Sequence, residues 1–324
     1  MDGRLGLGID VGGTSIKFGL VSRDGTILRQ HALDTHAERG PGAVLGRIVE
    51  GARLLMDSAE TPIEGIGIGL PGVVNNQGEV AYPPNFPGWE VIPVADRLRP
   101  LLGTDLPITV ENDANVAGYA EARAGNGSQD RNFLFVTLGT GVGGCIISDG
   151  EIWRGSGGGA GEIGHTTVDM NGQLCNCGAR GCLEAYIGQR YMSALARERL
   201  DRTPESLVHA MVSSHGSLEP RLLDEAAVSG DRFARDFLAE MGVILGAGLA
   251  SVMNLCDLHL VIVGGGMSRS EKYLLEPARR SMRMRALRSI TGDMELRVSR
   301  FLNDAGMIGA ALLAMERKHQ VSKA

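Results

Sequence analysis

The sequence predicts an α/β protein built from two domains. Its 324 residues exceed the usual size of a single hydrophobic core. Apolar runs of strand length alternate with segments of helical periodicity, and the first 70 residues follow the order β-β-β-α-β. A strand, a glycine turn and a second strand near the N-terminus are repeated after residue 132. These observations favour two α/β domains with a ligand-binding cleft between them, although so short a repeat also arises by chance.

Apolar patterning defines the elements of the first predicted domain, residues 1–124. Each predicted strand is a short, mainly apolar run, and each predicted helix repeats apolar residues three or four positions apart. In chain order the elements are strands at 5–11, 15–22 and 26–33, a helix at 44–55, a strand at 63–70, a helix at 94–102, a strand at 108–110 and a helix at 115–124. The polar stretch Gly125-Asn126-Gly127-Ser128 is the predicted linker.

The second predicted domain, residues 125–304, begins like the first. Its elements are strands at 133–138 and 145–148, a long helix at 231–254 and a strand at 258–263. Asn303 or Asp304 can cap a final helix, 305–324. The apolar residues on one face of that helix are Met307, Ile308, Ala311, Leu312 and Met315. We expect this amphipathic helix to complete the first domain, because its apolar face needs a partner surface.

Charge and composition exclude several functional classes. The formal charge of −6 and pI of about 5.7 disfavour a nucleic-acid partner, which requires clustered Lys and Arg to displace counterions. The N-terminal segment has no basic region followed by a long apolar stretch, and no window holds eighteen uninterrupted apolar residues. We therefore expect a cytoplasmic protein that does not associate with membranes.

The first glycine turn has the residues expected for a phosphate site. Asp10 lies at the end of the first strand, and Gly12, Gly13 and Thr14 follow it. Glycine lets backbone N–H groups approach an oxyanion, and a carboxylate such as that of Asp10 can hold hydrated Mg²⁺. A plain hairpin turn is the alternative. An Asp-Gly pair would suffice for such a turn, so the additional Gly-Thr favours phosphate binding.

The second glycine turn, residues 139–144, matches the pattern G-x-G-x-x-G of dinucleotide-binding proteins. Residues 67–72 and 159–164 match it equally well, so the pattern alone has little specificity. A dinucleotide site requires a helix after the turn, whereas here the apolar run Cys145-Ile146-Ile147 predicts a strand. The sequence therefore predicts neither a Rossmann site nor a P-loop, for which the pattern G-x-x-x-x-G-K-[ST] is missing.

A histidine and three cysteines have the spacing of a zinc site. His165 precedes Cys175, Cys177 and Cys182 in one short polar stretch. Three thiolates and one imidazole complete a tetrahedral site, which is typical of structural zinc. The alternative is three buried free thiols with an unrelated histidine, but polar neighbours such as Asn176 disfavour a core segment.

Polar side chains gather at three further places. Asn112 and Asp113 follow a predicted strand, Glu162 precedes His165 by three residues, and Glu184 follows the last cysteine of the cluster by two. Carboxylates and amides suit a polyhydroxylated ligand, because each hydroxyl needs both a donor and an acceptor. For any one of these residues alone, a solvated surface position is the simpler interpretation.

Five motifs in this order resemble those of the ROK family of repressors, open reading frames and sugar kinases. They are IDVGGTSIKFGLV, ENDAN, LGTGVGGC, GEIGH with CNCGARGCLE, and VIVGGG. The resemblance covers essentially the whole chain and is strongest to the bacterial glucokinases. It implies the two-domain actin-like ATPase fold, shared with hexokinase and ribonuclease H, with sugar and ATP in the interdomain cleft. It also implies Mg²⁺ and Zn²⁺ as cofactors and a homo-oligomer, either a dimer or a tetramer.

The resemblance also assigns roles to individual residues. Asp113 would be the general base that accepts the proton of the sugar's primary hydroxyl. The sugar would be bound by Gly72, Asn85, Asn112, Asp113, Glu162, His165 and Glu184. ATP would be bound by Asp10, Gly12, Gly13, Thr14, Lys17, Thr140, Gly141, Gly264, Gly265 and Gly266. Zinc would be bound by His165, Cys175, Cys177 and Cys182, with the other nitrogen of His165 facing the sugar. Metal loss would then weaken sugar binding more than ATP binding, because the ATP turns lie elsewhere in the chain.

Two alternatives to a glucokinase remain at this stage. The stretch CNCG followed by GCLEAY also resembles kinases of N-acetylmannosamine or N-acetylglucosamine. A sugar-sensing regulator without turnover is the alternative of another class. Asp113 and both glycine turns argue against the regulator. Family repressors place a helix-turn-helix before the first strand, which here begins near Leu5, so DNA binding is not expected.

Overall fold

The computed structural model describes residues 4–75 and 77–321, with side chains up to Glu316. The first elements in chain order are β1 (Leu5–Val11), β2 (Ser15–Ser22), β3 (Ile27–Asp34), α1 (Pro41–Asp57), β4 (Ile63–Leu70), β5 (Val73–Val74), β6 (Val80–Ala81), β7 (Val91–Ile92), α2 (Val94–Leu102), β8 (Ile108–Asn112) and α3 (Asp113–Ala124). They are followed by β9 (Phe133–Leu138), β10 (Val142–Ser148), β11 (Glu151–Ile152), α4 (Glu184–Ile187), α5 (Gln189–Leu200), α6 (Val208–His215), α7 (Pro220–Val228), α8 (Arg232–Cys256), β12 (Leu260–Gly264), α9 (Glu276–Arg285), β13 (Glu295–Val298) and α10 (Ala305–Val321). The last three residues of the predicted helix 305–324 lie outside the described residues.

The first large sheet has the strand order β3-β2-β1-β4-β8. β1, β2 and β3 pair in antiparallel fashion, whereas β4 is parallel to both β1 and β8. β1 and β4 are buried along nearly their whole length, as expected for central strands covered on both faces. The carboxyl ends of β1, β4 and β8 therefore meet at one edge of the sheet, where Asp10 and Asn112 lie.

The second large sheet repeats the topology of the first. Its order is β11-β10-β9-β12-β13, and β12 is parallel to both β9 and β13. In each sheet the spatial order is thus the third, second, first, fourth and fifth strand along the chain. This shared order supports the predicted duplication. A small antiparallel sheet of β5, β6 and β7, which was not predicted, is inserted after β4.

The chain forms two compact units. Unit 1 comprises Met1–Arg131, Cys145–Gly161 and Asn303–Ala324, and unit 2 comprises Asn132–Gly144 and Glu162–Leu302. The predicted linker, residues 125–128, belongs to unit 1, where the N–H groups of Asn126 and Gly127 donate to Glu121. The predicted domain limits, 1–124 and 125–304, stay a prediction.

The long elements agree with the sequence prediction in type and order, but the ends of several differ. β1, β2, β4, β9 and α2 have the predicted bounds. β8 continues to Asn112 and α3 begins directly at Asp113, without the intervening turn that the sequence predicted. β10 begins at Val142, three residues earlier than predicted. The helices α4 to α7 lie in a stretch for which no elements were predicted.

Helix α10 is buried on all sides over residues 305–315, rather than on one face as predicted. It packs on β1 and β4 at glycine positions, so that the two backbones touch. A Cβ on Gly67 would lie 1.8 Å from the carbonyl oxygen of Ala310, a distance that only glycine permits. Gly309 on the helix is equally close to α3, because a Cβ on it would lie 1.7 Å from the carbonyl oxygen of Val116. The helix therefore forms the centre of unit 1.

Helix α8 is the one element in the described chain that is long and apolar enough to span a membrane. Of its most apolar window, 56% is buried inside the protein, mainly against α7 and α9. Burial of this kind is typical of a core helix in a large unit.

Candidate active site and metal-ligand cluster

The junction between β8 and α3 presents Asn112 and Asp113 at one end of the first sheet. The side-chain oxygen of Asn112 accepts a hydrogen bond from the N–H of Asn115 at 3.0 Å and so caps α3. Its side-chain nitrogen donates to the carbonyl oxygen of Gly72 at 3.0 Å. Two residues predicted to bind sugar, Gly72 and Asn112, are thus in direct contact within unit 1.

Asp113 is the first residue of α3, where the helix N-terminus favours a negative charge. Its Oδ1 accepts the N–H of Ala114 at 2.8 Å. Burial raises the pKa of this carboxyl above its usual range, while the hydrogen bond from Ala114 opposes the rise. A carboxylate with a raised pKa and a fixed orientation has the properties of a general base.

Two residues that the sequence analysis missed support this junction. Glu111 is buried, and its Oε1 accepts the N–H of Asn112 and the side-chain amide of Asn115, each at 3.0 Å. Its Oε2 accepts from Nε of Arg154 at 2.7 Å. Glu111 stands directly before Asn112 in the ENDAN motif, which was the available signal. Arg154 lies 43 residues away, and no local pattern marks it.

The first glycine turn is held in place by Thr35. The N–H of Gly12 donates to the carbonyl oxygen of Ser15 at 3.0 Å, and the Thr35 hydroxyl donates to that of Gly12 at 2.6 Å. The Thr35 N–H donates to the carbonyl oxygen of Thr14 at 2.9 Å. Gly13 and Thr14 are exposed, as a turn that binds phosphate requires.

Asp10 lies between the start of α10 and the junction of β8 with α3. A Cβ on Gly306 would lie 2.8 Å from the Asp10 carboxyl group, so the start of α10 is in contact with it. Burial raises the pKa of Asp10 to about 7, and the charges of Asp113 and Asp304 act in the same direction, whereas Lys17 opposes them. Unit 1 thus gathers three carboxyl groups and one ammonium group, a composition suited to a hydrated cation.

Lys17 makes contacts that the sequence did not indicate. Its Nζ donates to the carbonyl oxygen of Asn303 at 2.6 Å and forms an ion pair with Asp304 at 3.6 Å. These bonds join β2 to the segment that begins α10. The Lys17 side chain keeps about a third of its surface exposed.

The loop after β6 brings Asn85 next to the first turn. Asn85 has a φ of 67°, and a Cβ on Gly13 would lie 3.7 Å from the Cβ of Asn85. The neighbouring Tyr82 also has a positive φ, of 44°. Two non-glycine residues in the left-handed region within four positions are uncommon, and such strain concentrates at binding loops.

The four predicted zinc ligands lie together in unit 2. The ligand atoms of His165, Cys175, Cys177 and Cys182 all lie within 4.8 Å of one another. Cys175 Sγ is 3.8 Å from Nδ1 of His165, and the Sγ atoms of Cys177 and Cys182 are 3.6 Å apart. Tetrahedral zinc with Zn–S bonds of 2.3 Å requires sulfur atoms about 3.8 Å apart, so these residues fit the metal. A hydrogen bond from the backbone of Ala179 lowers the pKa of Cys177, which favours its thiolate.

Glu162 and Glu184 flank this cluster. Glu162 precedes the 3₁₀ turn that carries His165, and the His165 N–H donates to the Glu162 carbonyl oxygen at 3.1 Å. Glu184 begins α4, two residues after Cys182. Its Oε1 lies 3.9 Å from Cys175 Sγ, and its Oε2 accepts the N–H of Val142 at 2.9 Å.

The second glycine turn and the loop after β12 are in contact within unit 2. A Cβ on Gly265 would lie 2.3 Å from the carbonyl oxygen of Leu138, which directly precedes the turn. The predicted nucleotide residues Thr140 and Gly141 therefore lie close to the Gly264–Gly266 loop. The predicted site residues thus form one group in each unit.

Comparison with known proteins identifies the family. The ROK family model matches residues 6–317. The chain is 36% identical to a glucokinase of Thermotoga maritima over 312 residues, which cover 96% of this chain and 97% of that protein. It is 30% identical to an N-acetylmannosamine kinase of Salmonella heidelberg over 309 residues, covering 95% and 97% of the two chains.

A solved structure is similar over the same extent. The crystal structure of a ROK family glucokinase from Streptomyces griseus in complex with glucose and AMPPNP matches with a TM-score of 0.86 at 34% identity. The match covers 96% of this chain and 99% of that one. This similarity confirms the predicted two-domain actin-like ATPase fold. Because both the family model and the relatives match nearly the whole length, the chain belongs to the ROK family.

Proposed function

We propose that this chain is an ATP-dependent glucokinase that transfers the γ-phosphoryl group of ATP to the 6-hydroxyl of glucose. The observation that carries the proposal is the half-buried carboxyl of Asp113 at the start of α3, held beside Asn112 in a chain similar to glucokinases over nearly its full length. Phosphoryl transfer needs alignment and charge neutralisation more than covalent help from the protein. Asp113 accepts the hydroxyl proton as the sugar oxygen attacks the γ-phosphorus, and the bond from that phosphorus to the β–γ bridging oxygen breaks to release ADP.

The sugar is bound by residues that offer both donors and acceptors. In unit 1 these are Asn112 and Asn85, together with the backbone at Gly72. In unit 2 they are Glu162, His165 and Glu184. His165 faces the metal cluster with Nδ1, which lies 3.8 Å from Cys175 Sγ, and this leaves Nε2 for a sugar hydroxyl. A site that hydrogen-bonds both the proton and the lone pairs of a sugar hydroxyl favours that sugar over an analogue without the hydroxyl.

The nucleotide is bound by the two glycine turns and the loop after β12. Gly12, Gly13 and Thr14 offer backbone N–H groups to the phosphates, as do Thr140 and Gly141, and Gly264–Gly266 accommodate the adenosine. Asp10 holds the hydrated Mg²⁺ that accompanies ATP, and Mg²⁺ neutralises the phosphate charge. Lys17 contributes by fixing the start of α10 next to Asp10.

His165, Cys175, Cys177 and Cys182 bind a structural zinc ion. The support is the fit of their ligand atoms to a closed tetrahedral site. The ion would hold the His165 ring in one orientation and would join residues 165–182 into a rigid loop. Metal analysis of the purified protein tests this, with one equivalent of zinc expected. Metal-free protein with full activity would contradict it.

A kinase of N-acetylmannosamine or N-acetylglucosamine is the second candidate, favoured by the similarity to the Salmonella enzyme. A coupled assay of ADP release separates the candidates when run with glucose, mannose, fructose and the two N-acetylated hexosamines. We expect the highest kcat/KM with glucose. A higher kcat/KM with an N-acetylated sugar would establish the second candidate. Sugar binding without ADP release would instead indicate a sugar-sensing regulator.

We also propose that the protein is a cytoplasmic homo-oligomer, a dimer or a tetramer. The support is its membership of a family whose members usually pair. Light scattering at micromolar concentration tests the assembly, and a particle of 34.3 kDa, the mass of one chain, would contradict it.

A further inference from the structure

A hydrogen bond joins the metal-ligand segment to the second glycine turn. The N–H of Val142, the first residue of β10 and the one that directly follows the turn Gly139-Thr140-Gly141, donates to Oε2 of Glu184 at 2.9 Å. A Cβ on Gly141 would lie 2.4 Å from the same oxygen. Glycine at position 141 thus makes room for the Glu184 carboxylate.

Two further contacts hold the same turn. The N–H of Gln189, at the start of α5, donates to the carbonyl oxygen of Gly139 at 3.0 Å. On the other side, Gly164 packs on the turn so closely that a Cβ there would lie 2.1 Å from the carbonyl oxygen of Val142. Gly164 is adjacent to His165, and Gln189 closely follows α4, which begins two residues after Cys182. Both sides of the turn are therefore held by neighbours of the metal ligands.

The cluster fixes the position of Glu184 itself. Its Oε1 lies 3.9 Å from Cys175 Sγ. The carbonyl oxygen of Cys182 accepts the N–H of Ala185 at 3.0 Å, and the N–H of Leu183 donates to the carbonyl oxygen of Thr166 at 2.9 Å. Glu184 thus begins α4, and the residue before it, Leu183, is hydrogen-bonded to Thr166, which directly follows His165.

We propose that Glu184 is a positioning residue for the nucleotide's phosphates: it holds the second glycine turn through Val142, and the metal-ligand cluster holds Glu184. This inference rests on the proposed function, because it takes the turn to be a phosphate site. Val142 is buried, so loss of the acceptor leaves an unsatisfied N–H that the turn must move to satisfy. Metal loss is therefore expected to weaken nucleotide binding as well as sugar binding, which adds an effect on ATP to the sequence prediction that sugar binding is the more affected.

Two substitutions at position 184 separate this role from sugar binding. Glu184→Ala removes the acceptor, and Glu184→Gln keeps one. Calorimetry should give a Kd for the non-hydrolysable analogue AMPPNP with Mg²⁺ that rises about tenfold in E184A, which corresponds to about 1.4 kcal/mol. In E184Q the Kd should stay within about threefold of wild type, because the amide oxygen still accepts the bond. Both variants should bind glucose more weakly. Wild-type AMPPNP affinity in E184A would overturn the proposal.

Glu162→Gln is the matched control, because Glu162 is the other carboxylate beside the cluster. We expect E162Q to weaken glucose binding and to leave the Kd for AMPPNP within about twofold. Hydrogen exchange of a peptide covering residues 138–146 supplies a second readout that does not depend on activity. Exchange should be faster in E184A than in E184Q or E162Q. Equal exchange in all three variants would contradict a positioning role.

Cys177→Ser tests the contribution of the cluster. We expect zinc content near zero and a weakening of AMPPNP binding similar to that in E184A. Because both changes act through one route, the double variant should bind AMPPNP no more weakly than either single variant. A zinc-free C177S protein with wild-type AMPPNP affinity would overturn the coupling.

The experiment also distinguishes the inference from the function on which it rests. AMPPNP binding is measured without turnover. A wild-type protein that binds AMPPNP but phosphorylates no sugar would refute the glucokinase proposal, while the binding data on E184A would still decide the inference. Conversely, an active wild type combined with normal AMPPNP binding in E184A would refute the inference alone.

Discussion

Arg154 and Glu111 form an ion pair next to the junction between β8 and α3, where Asn112 and Asp113 lie. Arg154 Nε donates to Glu111 Oε2 at 2.7 Å, and the other oxygen of the same carboxylate accepts the N–H of Asn112. Glu111 is buried, whereas the Arg154 side chain is 29% exposed. The orientation of Asn112 thus depends on an arginine 43 positions from Glu111, and so does that of Asp113, the next residue.

Arg154→Met is expected to lower both stability and turnover. The substitution leaves a buried carboxylate unpaired, which costs about 2 to 4 kcal/mol of unfolding free energy. The displaced junction should reduce kcat at least about tenfold, because small errors in the position of a base are costly. Urea unfolding and steady-state kinetics measure the two effects. Arg131→Met is the control, since Arg131 pairs with Asp149 on the surface, where both side chains are more than 70% exposed. If R154M lost no more stability and turnover than R131M, Arg154 would not support the junction between β8 and α3.

Asp113→Asn is expected to abolish most turnover while preserving the site. The amide keeps the size of the carboxylate and can still accept the Ala114 N–H, but it cannot take a proton. We expect kcat to fall by a factor of about 10² to 10⁴ and the Kd for glucose to change only several-fold. Stopped assays of ADP and calorimetry with glucose give the two values. Turnover near the wild-type value would exclude Asp113 as the general base.

Asp10→Asn is expected to stabilise the protein at pH 8 in the absence of Mg²⁺. The pKa of Asp10 is raised from 3.8 to about 7, so between these values the folded protein holds a proton that the unfolded chain has lost. The unfolding free energy therefore falls as the pH rises from about 4 to 7, and the penalty is complete above 7. At 1.4 kcal/mol per pH unit it reaches about 4 kcal/mol at most.

The pH dependence supplies the control for this prediction. Asparagine does not titrate, so the stability gained by D10N should be smaller at pH 5 than at pH 8, while activity is lost at both. Urea unfolding at the two pH values, with a chelator present, measures the difference. A D10N variant that is no more stable than wild type at pH 8 would show that the ionised Asp10 carboxylate does not lower the unfolding free energy.

Gly306→Ala is expected to raise the Mg²⁺ requirement. The new methyl group would lie 2.8 Å from the Asp10 carboxyl group, which must then move. We expect an increase of about tenfold in the Mg²⁺ concentration at half-maximal rate, with little change in the KM for glucose. Gly42→Ala is the matched control, because Gly42 is also the second residue of its helix and has no neighbour within 4 Å of a Cβ. Equal Mg²⁺ dependence in the two variants would show that the contact between Gly306 and Asp10 does not affect Mg²⁺ binding.

The features that were predicted from the sequence are those that depend on residues close together in the chain. Continuous apolar runs gave β1 and β4 with their bounds, and the cysteine spacing predicted a cluster whose atoms do lie together. The bond from Val142 to Glu184 joins residues 42 positions apart, and such pairs leave no periodicity in the sequence. The environment of α10 was missed for a related reason. From the sequence pattern, the helix has one apolar face. In the structure it is buried on all sides, because the glycines of β1 and β4 let the strands approach the helix backbone.

Because of that close approach, the surroundings of the carboxyl end of β1 depend on the order in which the chain is synthesised. Asp10 leaves the ribosome long before Gly306, which covers it, because the whole of unit 2 lies between them in the chain. Domains generally fold as units, the N-terminal part first, but unit 1 is closed by Asn303–Ala324. A nascent chain that ends before residue 303 has the strands of the first sheet and no helix to fill the groove along their glycines. The turn at Gly12 therefore acquires its final surroundings only after the whole of unit 2 has been made.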